Sequence, residues 1–296
     1  MADALPDTPS CAAYDPTLNP GSYGYRPSLA WGLVFTILFV LIAAGQLFHM
    51  IRTRAFWTFF FIMGALFEII GWVGRLASYW CPYSRDCFLM QTASLITGPG
   101  WAQAGIYLTL WVVIRSVGRH VSPFPPKTYL AICFCIDLVC LSLQAVGGGL
   151  AGAAYSNGTS TQPGTTTMVV GIIAQLTAAV LFSILVGFVI YRGGSALRSN
   201  RPLFYMTAAT VFATMMMIMR NVYRSIELTE GWRGYLITHE KYVLALDALP
   251  MVLAMGIYVI FNPGAQFEKT ATAEQQQELA ERDQPQKNAV QRYLNL

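Results

Sequence analysis

Seven long apolar stretches constrain this chain more than any other feature. They lie near residues 29–49, 57–79, 88–115, 128–150, 167–191, 203–225 and 240–262. Each is about the 20 residues that a helix needs to cross the hydrocarbon core. Charged residues make up only 11% of the 296, against about 25% in an average soluble domain. The pattern predicts an all-α, polytopic membrane protein with seven transmembrane helices. Residues 1–28 read as a flexible polar tail, 29–264 as the seven-helix domain and 265–296 as a second tail. The polar, Pro-rich start predicts that the first apolar stretch is an uncleaved anchor, not a cleaved leader.

Lys and Arg set the expected orientation. The loop after the first stretch carries Arg52 and Arg54, and the loop after the third carries Arg119 and Lys127 beside Arg115. The loop after the fifth carries Arg192, Arg198 and Arg201, and the C-terminal tail carries Lys269, Arg282, Lys287 and Arg292. The opposite side has Arg26, Arg85 and Arg233. The N-terminus is therefore expected outside and the C-terminus in the cytosol. Asn157-Gly158-Thr159 is a glycosylation sequon in a loop expected outside. Cys81 and Cys87 flank a short loop on that side and are expected to form a disulfide, leaving Cys11 unpaired. Cys133, Cys135 and Cys140 read as small apolar residues of the fourth stretch.

Ionisable residues inside such stretches are costly and face a protein interior or a watery cavity. Glu68 and Arg75, Asp137 and Gln144, and Glu240 and Asp247 are each seven apart, so each pair shares a helix face. Arg220, Arg224 and Glu227 share a face at three- and four-residue spacing. Together they predict a polar cavity that opens outward and narrows at mid-membrane. Five carboxylates stand against three arginines in this set, a surplus that suits a ligand carrying an amine. The competing reading is that Arg–carboxylate pairs simply hold helices together. Gly98-Pro99-Gly100 is expected to break the third helix, with Gln91 before it and Gln103 after it. Such a break either marks a moving substrate site or is a packing kink. Pro250 predicts a kink in the seventh helix.

Enzyme readings fare badly. The three histidines, His49, His120 and His239, cannot converge on one metal in this topology, and no HExxH, G-x-S-x-G or P-loop sequence is present. No cofactor and no metal is expected. The basic residues form no block of the kind that binds nucleic acid.

Ordered motifs run through the chain: FEIIGWVGR at 67–75, the Gly-Pro step followed by Ala104 and Tyr107, and FCIDLVCLSLQAVGGG at 134–149. Gly171 and Gln175 follow, then RNVYRSIEL at 220–228, GWRGYL at 231–236, HEKYVLALD at 239–247 and NPG at 262–264. In order and spacing these resemble the fungal lipid-translocating exporter family, also known as the aminocholesterol-resistance family, over about residues 29–264. The resemblance implies seven spans and a role in moving or tolerating lipids such as sphingoid bases and sterol-like amines. Carried over by position, it marks Glu68, Gly71, Arg75, Asp137, Gln144, Gln175, Arg220, Arg224, Glu227, Glu240 and Asp247. Trp72, Trp111, Val112, Cys140, Leu244 and Asn262 depart from the pattern, which puts the substrate in doubt more than the fold.

The leading expectation is a plasma-membrane protein that moves an amphipathic, amine-bearing lipid or drug toward the outer leaflet. Glu68 and Asp137 would hold the head at mid-membrane, and Glu240 and Asp247 would receive it. The alternative is a seven-helix sensor that signals through a cytosolic partner of the tail.

Overall fold

The computed structural model describes residues 10–15, 23–54, 56–118, 121–123, 125–156, 159–231 and 234–261. Asn157 and the tail from residue 262 lie outside them. Among the described residues every regular element is a helix. Six long helices come first: α1 (Leu29–Thr53), α2 (Phe59–Trp80), α3 (Arg85–Val117), α4 (Pro126–Ser156), α5 (Gln162–Ser199) and α6 (Arg201–Glu230). A final rod joins α7 (Glu240–Val243), a π turn (Leu244–Ala248) and α8 (Leu249–Ile260).

Local chemistry sets several of these boundaries. Arg54 closes α1 in the left-handed region, with φ of 50°. Ser84 caps α3, its Oγ accepting from the Cys87 N–H at 3.4 Å, and Asn200 Oδ1 accepts from the Leu203 N–H to start α6. The kink expected at Pro250 takes the form of a wide turn. Pro250 has no N–H and would crowd the carbonyl four residues earlier. The helix loosens just before it, and the Leu249 N–H bonds back to Leu244 O, five residues away.

Six stretches are long and apolar enough to cross a membrane: Leu29–Thr53, Phe56–Trp80, Lys127–Ala154, Gln162–Gly194, Arg201–Glu230 and Glu240–Ile260. The protein is thus a multi-pass membrane protein. α3 falls short of that standard although it is 33 residues long. Its polar residues Gln91, Ser94, Gln103 and Thr109 are buried against other helices, so they lower its hydropathy without meeting lipid.

The molecule is apolar outside as well as inside. Leu41, Ile51, Leu181, Ile184 and Met215 are exposed, as suits a surface solvated by acyl chains. Aromatic contacts knit the core. Phe35 of α1 stacks on Trp72 of α2 at 4.6 Å, Phe61 of α2 meets Tyr258 of α8 at 4.7 Å, and Tyr107 of α3 meets Phe182 of α5 at 4.6 Å.

The expected break in α3 does not occur: the helix continues through Gly98-Pro99-Gly100. The glycines serve contact instead. A Cβ on Gly98 would stand 3.1 Å from Gly64 O and 3.2 Å from Glu68 Oε1, so α2 and α3 approach backbone to backbone.

The N-terminal region is not a free tail in the residues described. Cys11 forms a disulfide with Cys81 at the end of α2, and Cys87 is a free thiol. The expected Cys81–Cys87 pairing is therefore corrected: Cys87 sits in the capped first turn of α3, while residues 10–15 come over Cys81. The Tyr83 N–H donates to Ser10 O at 3.2 Å, and the Asp15 N–H donates to Tyr83 Oη at 2.8 Å.

Candidate functional site

The polar residues of the bundle fall into separate groups, not one cavity. The first is built on α6 and the π turn. Asp247 accepts from Arg220 Nε at 2.9 Å and from Arg224 Nε at 3.1 Å, and its second oxygen accepts from Arg224 Nη2. Arg224 Nη1 also donates to Glu227 at 2.8 Å, and the Tyr223 hydroxyl donates to the other Glu227 oxygen at 3.1 Å. Arg220 Nη2 donates to the carbonyl of Leu95. Leu95 lies four residues before Pro99, so its carbonyl is the one that the proline cannot satisfy. The guanidinium thus supplies the donor that a broken helical ladder requires inside a membrane. Glu68 lies within electrostatic reach of Arg220, Arg224 and Asp247.

The second group closes the end of the bundle where α1 begins. Arg75 is 1% exposed, and its Nη2 donates to Glu240 Oε1 at 2.9 Å and to the Tyr25 hydroxyl. The Ser28 N–H donates to the same Glu240 oxygen at 3.0 Å. The rings of Tyr23, Tyr25 and Trp72 stand 5.6 to 5.8 Å from the guanidinium carbon, within the range of a cation–π attraction. Tyr23 donates to Gln91 Oε1 at 2.9 Å and lies 2.9 Å from Ser78 Oγ. Burial pushes the Tyr23 hydroxyl up to about 12, so it remains a donor at neutral pH. Beneath this strap lies a cavity of about 30 Å³, lined by Tyr25, Arg75, Arg224 and Glu227 among others. It has room for about one water, not for a lipid head.

The third group lies on α3 and α4. Asp137 is 4% exposed, yet no described group donates a hydrogen bond to either carboxylate oxygen. Tyr107 lies beside it at a geometry short of a hydrogen bond, with Gln103 next to Tyr107. Both amide atoms of Gln103 and the Tyr107 hydroxyl are likewise buried without a partner. Farther along α4, Gln144 Nε2 donates to Gln175 Oε1 at 2.9 Å, a self-contained link to α5.

The single outward-opening cavity expected from sequence is corrected by this partition. The structure joins Arg220, Arg224, Glu227 and Asp247, with Arg75 and Glu240 adjoining. It leaves Gln103 and Asp137 apart, and Gln144 with Gln175 apart again. Sequence reasoning missed Tyr23, Tyr25 and Ser28, which lie in a short irregular segment with no periodicity to betray them. Tyr107 stood in a quoted motif but was not assigned to a site.

The fold and this buried lattice define a multi-pass helical membrane protein with ion pairs inside the bundle. Residues 61–270 match the family model described as RTA1 like protein, and the chain belongs to that family. It is 29% identical over 287 residues to the sphingoid long-chain base transporter RSB1 of Saccharomyces cerevisiae, covering 84% of this chain and 75% of the relative. It is 27% identical over 223 residues to protoporphyrin uptake protein 1 of the same yeast, covering 70% and 68%. It is also 25% identical over 233 residues to the yeast protein RTM1, covering 74% and 72%. No solved structure matches the chain.

Proposed function

We propose that this chain moves an amphipathic, amine-bearing lipid across the plasma membrane, with Asp137 as the headgroup site. The observation that carries the reading is the pair of Asp137 oxygens, buried and without a donor. An unpaired buried carboxylate is costly. An ammonium brings three N–H donors, and Asp137, Gln103 Oε1 and the Tyr107 oxygen are acceptors for them. The Gln103 amide would then be free to donate to a hydroxyl of the lipid. Ile136, Leu138 and Val139 on the same turns of α4 are exposed, so a chain attached to that head has an apolar surface to follow. A relative named as a sphingoid long-chain base transporter supports this substrate class.

In this reading α3 is the seventh crossing, screened from lipid by its neighbours. Seven crossings put the termini on opposite sides, N-terminus outside by the Lys/Arg bias. The Arg–carboxylate lattice then holds the outer half of the bundle, and Arg75, Glu240 and residues 23–28 close its outer end. A protonatable Asp137 could couple the movement to a proton gradient.

The test is translocation of a labelled sphingoid base and a labelled neutral lipid by purified protein in liposomes, with and without a proton gradient. Wild type should move the base and not the neutral lipid, and Asp137→Asn should fail while remaining folded. Folded wild-type protein that moves neither would overturn transport and favour a sensor acting through residues 265–296.

A further inference from the structure

At the far end of the bundle, α5 and α6 enclose a second space that the transport reading does not use. α5 has 38 residues, about 57 Å of helix, so it overruns a hydrocarbon core of about 30 Å. Its last turns and the first turns of α6 line an open groove of about 540 Å³. Ile190 and Leu197 line one wall, Phe204 and Val211 the other, and Arg198 stands at the mouth.

Gly194 lines the groove. Gly193, its neighbour, faces Val117 at 3.4 Å from where a Cβ would be, so it packs α5 against α3. A Cβ on Gly194 would meet nothing within 4 Å. Glycine inside a helix is less favourable than alanine by about 1 kcal/mol, and no packing contact at this position requires it. Its effect is to widen the groove.

Among the described residues, the charge lining the groove is positive. Arg198 and Arg201 are exposed, and among the described residues no carboxylate pairs with either. The sequence has no Asp or Glu anywhere from residue 138 to 226. Tyr191, 86% exposed, lines the site, as aromatic residues do at headgroup depth.

We propose that this groove binds an anionic phospholipid of the surrounding leaflet, with an acyl chain between Leu197 and Phe204 and the phosphate on Arg198 and Arg201. Apolar walls accept the chain, and paired guanidinium forks suit phosphate oxygens. A cationic substrate would be repelled here, so the site is distinct from Asp137. Basic pockets between helices recognise acidic lipids in this way.

The test is lipid retention by full-length protein in mixed micelles, read by native mass spectrometry, with phosphatidylserine and phosphatidylcholine offered in equal amounts. Micelles have no sidedness, so the outcome does not depend on orientation or on transport. Wild type should retain phosphatidylserine preferentially, and each of Arg198→Ala and Arg201→Ala should cut that preference about fivefold. Gly194→Leu should abolish retention of both lipids at this site while the unfolding temperature of the lipid-free protein stays level or rises. Displacement of the bound lipid by inorganic phosphate at millimolar concentration would overturn the acyl-chain contribution. Equal retention of the two lipids, or wild-type retention by Gly194→Leu, would overturn the proposal.

Discussion

Asp247 and Asp137 are both aspartates buried in the bundle, and their surroundings differ in kind. Asp247 accepts from two arginines, which in turn reach Glu227 and the Leu95 carbonyl that Pro99 leaves open. Asp137 lies beside Tyr107, itself next to Gln103, and its oxygens accept no hydrogen bond among the described residues. A satisfied lattice answers the cost of its own charges and needs nothing from outside. An unsatisfied carboxylate among unsatisfied neighbours gains most when a donor arrives. The contrast separates the competing sequence readings by location: ion pairs that hold helices together on α6 and the π turn, and a candidate amine site between α3 and α4.

The comparison breaks most visibly at Asp247. Asp247→Ala leaves Arg220 and Arg224 buried without their shared partner. The expected loss is about 3–5 kcal/mol, read as a steep fall in the detergent unfolding temperature or as loss of the monodisperse peak. A variant as stable as wild type would remove the clamp role.

The disulfide comes next. Cys81→Ser should cost about 2–4 kcal/mol, because the bridge to Cys11 closes a loop of 70 residues. Cys87→Ser should leave stability unchanged. An equal loss in Cys81→Ser and Cys87→Ser, with Cys11→Ser silent, would restore the pairing of neighbours that sequence favoured. Both are measured as chemical or thermal unfolding with and without reductant.

Gln144 and Gln175 sharpen the point at smaller scale. Gln175→Leu strands the Gln144 amide and should cost about 1–3 kcal/mol, whereas changing both to Leu should cost less than either change alone. Asp137→Asn should have a small effect on stability, within about 1 kcal/mol or stabilising, because it removes a charge with no partner to strand. Its unfolding temperature beside that of Asp247→Asn gives the comparison in a single experiment.

The apolar helices were legible because lipid demands unbroken runs of about 20 apolar residues. α3 was legible by length and less so by composition, since Gln91, Ser94 and Gln103 face protein. Residue spacing identified which side chains share a face but not which partner each would find. Glu240 goes to Arg75 on α2, while Asp247 goes to α6 across a π turn that shifts the register between them. Gly98 and Pro99 read as a break because sequence cannot show that Arg220 would cap the freed carbonyl. The strap at Tyr23–Ser28 was invisible: its role rests on Arg75 and Glu240, which are remote in the chain.

The most direct measurement is equilibrium binding of a radiolabelled sphingoid base to purified wild type, Asp137→Asn and the Gln144→Leu/Gln175→Leu pair, all checked for folding. The account predicts that Asp137→Asn loses at least about tenfold in affinity, the loss of one charged contact, while the glutamine pair binds like wild type. Equal affinity in wild type and Asp137→Asn would contradict it.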